Sequence, residues 1–316
     1  LDGGVGSDTV SFEDAEQTVN VDLTKSSATG VETGDDFISV ENVLGGAGDD
    51  VIKGSSQDNI LDGGAGDDQF IGTGGSDTMI GGAGEDTLSY GDESAALTVD
   101  MTAGTVTGVG TDKISGIEKV VTGSGNDVLK GSTGDDIFDG GGGSDAFHVS
   151  DGKDTIITGG GSDTLHVGAG YSIVSVALNE ETGALTFALN KSSDNSSHSV
   201  VVEGHDTAAL AKVRIYNDES DASDYNEYGL GVSFNSDLQL YRAKSNLATI
   251  VSGSDSDDAL MGRSGDDLLL GNAGNDQLSG GAGDDILMGG LDDDRYFVDS
   301  GDDQIFVGGG VDSLRL

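Results

Sequence analysis

The sequence predicts an all-β protein: a solenoid of stacked 18-residue coils, with a small antiparallel β module between two solenoid blocks. Three observations carry this. An acidic or amide residue recurs at nine-residue intervals, an apolar residue follows it two places later, and glycine crowds the positions before it. Such a fixed period marks a repeat architecture rather than an ordinary globular core.

Residues 45–89 show the unit: "GGAGDDVIK GSSQDNILD GGAGDDQFI GTGGSDTMI GGAGEDTLS". The sixth place of each nonapeptide holds Asp8 and then Asp50, Asn59, Asp68, Asp77 and Asp86. A second run holds Asp127, Asp136, Asp145, Asp154 and Asp163, and a third Asp258, Asp267, Asp276, Asp285, Asp294, Asp303 and Asp312. Glycine precedes this residue by two places in 15 of the 18 copies, the exceptions being Gln57, Ser256 and Asp292. The eighth place, as in Ile52, Leu61, Phe70 and Met79, is apolar or aromatic throughout.

A longer repeat lies over the first. The segment from Asp8 is echoed from Asp86, 78 residues on, and both copies contain alternating stretches ("TVNVDLT", "LTVDMT") that read as strands. These inserts, about 10–44 and 88–121, are expected to form about two wider coils each within a block spanning 1–167. Residues 145–167 are echoed by 294–316. Between them, 168–250 breaks the period; "YSIVSVALN", "GALTFALN" and "HSVVVEG" read as antiparallel strands, and "TAALAKVRIY" as a short helix entering a strand. The second block is 251–316.

Nine residues accommodate a turn of about six and a strand of about three, so two units close one coil with a strand on each side. Apolar eighth places then point inward as a thin two-row core, and glycine supplies the positive φ that tight turns need. Coils stack at about 4.8 Å, which places Asp50 over Asp68. Two bare carboxylates at that separation repel by roughly 3–4 kcal/mol at an effective dielectric near 20, so the ladder needs a cation between its rungs. Carboxylates and turn carbonyls form an all-oxygen site, and the flexible coordination of Ca2+ by 6–8 oxygens suits it better than the strict octahedron of Mg2+. Pairing copies 18 apart gives roughly 11 calcium ions, with Asn59 over Asp77 as the weak rung.

Composition agrees. The chain of 316 residues has 55 glycines, no proline, cysteine or tryptophan, and a net charge of -44. That charge disfavours nucleic acid and anionic membrane surfaces as partners and favours cations. Without cysteine there is no disulfide or thiolate chemistry, and no window is apolar enough to span a membrane as a helix. The chain begins inside a repeat, as a piece of a longer protein would.

The unit "GGAGDDVIK" resembles the glycine- and aspartate-rich nonapeptide of RTX proteins, the secreted bacterial family that includes haemolysin-type toxins, whose repeat is a described calcium-binding one. The resemblance covers about 160 residues through the nonapeptides, and "ISGIEKV"-type inserts look like those of large RTX surface proteins. It implies a parallel β-roll or β-helix that folds when calcium binds, export as an unfolded chain by type I secretion, and an extracellular or cell-surface location. It implies calcium ligation by the eighteen sixth-place residues and the carbonyls around them. Asp8 stands alone, Asn59 lacks a charge, and the turns of Asp154 and Asp303 lack the leading glycine pair, which makes theirs the least regular sites.

Other chemistry finds little support. His148 and His166 occupy ninth places 18 apart and are expected side by side on an outer face, more often an ordinary surface pair than a metal site. His198 and His205 flank a strand without metal-ligand spacing, and no H-E-x-x-H occurs. "DESDASDYNE" at 218–227 lacks the central glycine and final glutamate of an EF-hand loop, and strings such as "GGGGSD" lack the lysine of a phosphate loop. Two functions then compete. One is a structural segment of an adhesin, surface layer or filament that self-associates into an array. The other is the calcium-dependent folding and secretion region of a toxin or hydrolase whose catalytic domain lies outside this chain. No catalytic residue is expected within it.

Overall fold

The computed structural model describes residues 3–30, 34–37, 39–168, 170–178, 185–203, 210–216, 225–229, 232–235, 240–243, 249–253 and 256–316. Every regular element among them is a β-strand, so no helix there is long and apolar enough to cross a membrane. The chain forms two compact units, Leu1–Gly161 and Ser162–Leu316.

In the first unit the nonapeptides build parallel ladders. Val51–Lys53 pairs with Gln69–Ile71, which pairs with Thr87–Ser89, setting Ile52, Phe70 and Leu88 one above another at intervals of 18. Ile60–Ala65 likewise pairs with Thr78–Ala83, with Leu61 beside Met79. These are strands of two separate sheets, as a coil with one strand on each side requires. Alternation along each strand buries the eighth place: Ile52, Leu61, Phe70, Met79, Leu88, Leu129, Phe138 and Phe147 are at most 2 % exposed. A core two rows thick is closed this way, and each coil covers the apolar edge of its neighbour.

The inserts depart from expectation. Thr9 returns over Asn42, 33 residues later, and Thr87 over Lys119, 32 residues later. Each insert is therefore one enlarged coil rather than two wider ones. The extra length folds as antiparallel strands inside a sheet: Val19–Asp22 with Ser27–Gly30 and then Gly34–Phe37, and Thr98–Asp100 with Thr105–Thr107 and then Thr111–Ser115. The flanking parallel ladders survive, because Val19–Asp22 also pairs with Val51–Lys53 and Thr98–Asp100 with Val128–Lys130.

The second unit contains antiparallel strands and a second roll. Tyr171–Leu178, Leu185–Lys191 and Ser196–Glu203 form an antiparallel array, with Phe187, Leu189, Val200 and Val202 buried. Leu210–Tyr216 is a strand throughout, while the helix expected at the start of "TAALAKVRIY" lies outside the described residues. The roll sets Leu260, Leu278 and Tyr296 in one sheet and Val251, Leu269, Leu287 and Ile305 in another, and these side chains share one core.

Candidate metal centres

The sixth-place aspartates stand where strand and turn meet, and most are held by the coil before them. The backbone N–H of Asp50 donates to Oδ1 of Asp68 at 2.7 Å, and that of Asp68 to Oδ1 of Asp86 at 2.8 Å. The same bond links Asn59 to Asp77, Asp127 to Asp145 and Asp136 to Asp154. In the second unit it links Asp258, Asp276, Asp294 and Asp312 in one series and Asp267, Asp285 and Asp303 in another. Main-chain bonds close the same joint, for the N–H of Gln69 donates to the carbonyl of Asp50 at 2.8 Å.

This leaves Oδ2. In Asp68, Asp86, Asp127, Asp267, Asp276, Asp285 and Asp294 that oxygen is buried with no hydrogen-bond donor, and the residues are at most 2 % exposed. A Cβ added to Gly63 would meet Asp68 Oδ2 and the carbonyl oxygen of Gly81, one coil on. Gly262 stands likewise beside Asp267 Oδ2 and the Gly280 carbonyl, and Gly271 beside Asp276 Oδ2 and the Gly289 carbonyl. A first-place glycine thus keeps open a space onto which a carboxylate oxygen and a carbonyl oxygen face without a proton between them. Buried acceptors without donors are costly, and an oxygen-only pocket of this kind fits a hard divalent cation.

The electrostatics agree. Burial first, and neighbouring carboxylates after it, push the Asp68, Asp267 and Asp276 carboxyls up to about 7 and that of Asp285 up to about 6. Asp86 and Asp294 are raised for the same reasons. No three carboxylate or histidine side chains converge among the described residues. Any such site must therefore draw on main-chain oxygen, which the glycine turns expose.

Not every sixth-place residue is so placed. Asp8, Asp303 and Asp312 are partly exposed, whereas Asp145, Asp154, Asp163 and Asp258 are buried. The Asp50 carboxylate accepts from the N–H groups of Val19 and Gly46. His166 is 7 % exposed, so the expected surface position fails for it, and burial lowers His148 to about 4. His198 bonds through Nε2 to Ser196 Oγ at 2.6 Å. His205 and most of 218–227 lie outside the described residues.

Three acidic residues escaped the sequence reading. Glu41 Oε2 accepts from the N–H of Asp8 at 2.8 Å, Glu118 Oε2 from Asp86 at 2.9 Å, and Asp112 Oδ1 from Asp77 at 2.8 Å. Each fills the sixth-place role where an enlarged coil returns to the stack. A carboxylate two places before a buried apolar residue of the returning strand ("ENV", "EKV", "DKI") was the available signal. Asp112 Oδ2 accepts from the buried phenol of Tyr90, so that oxygen has its donor. A second ladder runs along the exposed fifth places in the opposite sense. There the N–H of Asp67 donates back to Oδ1 of Asp49, that of Glu85 to Asp67, and that of Asp302 to Asp284.

An acidic parallel β-roll with carbonyl-lined carboxylate turns is what these features define. The profile of the RTX calcium-binding nonapeptide repeat matches at residues 33–93, 114–174 and 252–315 in overlapping segments, more than half of the chain. The chain belongs to that family, and its repeats form a calcium-binding β-roll. A comparison with curated proteins finds no match. Among solved structures it is similar to the extracellular lipase LipA from Serratia marcescens, at 18 % identity and a TM-score of 0.27, over 62 % of this chain and 33 % of that one. The chain thus spans about a third of the length of that relative.

Proposed function

We propose that this chain is a structural segment of a secreted or cell-surface bacterial protein that folds when calcium binds outside the cell. The observation that carries the reading is the set of buried, donorless Oδ2 atoms facing main-chain carbonyls across glycine turns. In this reading the sixth-place aspartates and first-place carbonyls hold roughly 11 Ca2+ ions between coils 18 residues apart. Asp8, Asn59, Asp154 and Asp303 form its least regular positions. Bound calcium supplies positive charge where the apo ladder has only acceptors, so binding free energy becomes folding free energy. The module at 168–250 separates the two roll blocks, 1–167 and 251–316, and the parent protein is an adhesin, surface-layer or filament component.

Far-ultraviolet circular dichroism of the purified chain at neutral pH tests this. The β signal should vanish in excess chelator and return with millimolar calcium; a full β signal in chelator sinks the proposal. Ordered arrays in electron micrographs after calcium addition are the expected result for the surface-assembly reading, and dispersed particles at every calcium concentration tell against it.

A further inference from the structure

Most turns fall into two kinds, distinguished by their second place; the Asp50 turn, whose Gly46 is not left-handed and donates its N–H to Asp50 Oδ2, stands outside both. At Gly64, Gly82, Gly281 and Gly290 that residue is left-handed, with φ from +100 to +115°. Arg263 and Asn272 adopt the same region at φ +106° and +78°, where a side chain is unfavourable. The aspartates of these six turns, Asp68, Asp86, Asp285, Asp294, Asp267 and Asp276, each have an Oδ2 without a donor. Asp127, whose second-place Gly123 is not left-handed, keeps a donorless Oδ2 as well.

Serine at the second place gives the other kind. The N–H and hydroxyl of Ser55 donate to Asn59 Oδ1 at 2.6 and 3.2 Å. Ser132 donates its N–H to Asp136 Oδ2 at 2.7 Å, and its hydroxyl reaches both carboxylate oxygens at 3.0 and 3.2 Å. The hydroxyl of Ser150 donates to Asp154 Oδ2 at 2.7 Å. None of these serines is left-handed. The space beside the first-place glycine differs too. A Cβ on Gly131 would meet the Ser150 hydroxyl and Asp136 Oδ2, and one on Gly54 the Thr73 hydroxyl and Asn59 Oδ1. A hydroxyl stands where the other turns present a carbonyl.

We propose that the second-place residue selects which rungs take calcium: left-handed turns hold the ion, whereas hydroxyl-bearing turns satisfy their own sixth-place oxygens and exclude it. The kinds are segregated in the first unit. Asp68 and Asp86 belong to the glycine series, and Asn59 and Asp77 to the series with Ser55 and Thr73 at the second places, although the Thr73 hydroxyl is buried without a hydrogen-bond partner. Past the second insert, Asp127 and Asp145 repeat the glycine series, and Asp136 and Asp154 the hydroxyl series. One edge of the first roll is bridged by ions and the other by protein donors. In the second unit, Asp276 and Asp294 in one series and Asp267 and Asp285 in the other all follow left-handed second places, so both of its edges take ions. The assignment rests on the calcium-binding reading above and removes the rungs at Asn59–Asp77 and Asp136–Asp154 from the expected ions.

The test counts calcium bound per chain by native mass spectrometry, with folding followed by circular dichroism in the same buffer. Asp136→Asn keeps an oxygen acceptor for Ser132, as Asn59 does for Ser55, and should bind as many ions as the wild type. Asp276→Asn should bind at least one fewer. The double variant Ser132→Gly, Ser150→Gly frees the Asp136 turn from both hydroxyls and should bind at least one more. Loss of an ion in Asp136→Asn, or no gain in the double variant, overturns the selection while leaving calcium binding intact. A chain that binds none in any variant overturns the calcium reading, and the selection with it.

Discussion

Asp68 serves two coils through one carboxylate: Oδ1 receives the backbone N–H of Asp50, 18 residues earlier, while Oδ2 lies buried without a donor. Asparagine separates these roles, because its amide oxygen accepts the N–H bond but carries no charge. Asp68→Asn is expected to fold in saturating calcium with a raised calcium midpoint. Asp68→Ala also strands the Asp50 N–H and should cost a further ~1–3 kcal/mol in chemical denaturation.

Protons can offset the buried carboxylate charge when metal is stripped from the chain. The Asp68, Asp267 and Asp276 carboxyls sit at about 7 in the folded chain through burial, against 3.8 for the ordinary carboxyl. Between these values the folded state binds more protons than the unfolded one, so its stability falls as pH rises. The contribution is fully present below 3.8 and is lost as pH rises through about 7. Metal-stripped chain should therefore gain β signal on acidification from pH 8 to 5, and a signal flat or falling over that range would falsify the account.

Tyr90 is the one phenol donating to a carboxylate in the sixth-place role among the described residues, through Asp112 Oδ2, and burial pushes its hydroxyl well above the ordinary phenol range. Removing the hydroxyl leaves a buried oxygen without its donor. Tyr90→Phe is expected to lose ~1–3 kcal/mol in urea unfolding with calcium present. An unchanged midpoint would show that Asp112 finds another donor.

The second-place side chains can be tested by stability alone. Arg263 holds φ +106°, where glycine is at ease. Arg263→Gly should raise the calcium-loaded thermal midpoint slightly, since relief of left-handed strain outweighs the added freedom of the unfolded chain. Gly281→Val does the reverse: its Cβ meets the Arg263 carbonyl at φ +108°, and the midpoint should drop by several degrees.

The regular coils were legible because sequence period and coil length coincide: Ile52, Phe70 and Leu88 are 18 apart both in the chain and on the ladder. The joints at the inserts were not. Glu41, Asp112 and Glu118 take their places through returns of 33, 35 and 32 residues, which no search at intervals of nine encounters. The serine turns were visible as letters, but their effect depends on which way one peptide N–H points, and spacing does not record that. His166 looked like a surface residue because its place faces outward in a repeat, yet in this fold it is covered.

The enlarged coils carry a consequence for how such a chain changes over time. A segment can lengthen a coil almost without restriction, provided that it returns a carboxylate to the preceding N–H and an apolar residue two places on. Glu41 with Val43, and Glu118 with Val120, are such returns, and the coils on either side of them keep their pairing. Each joint between coils is in this sense a socket of constant shape, and new surface can be grafted onto the protein at any of them without redrawing its core.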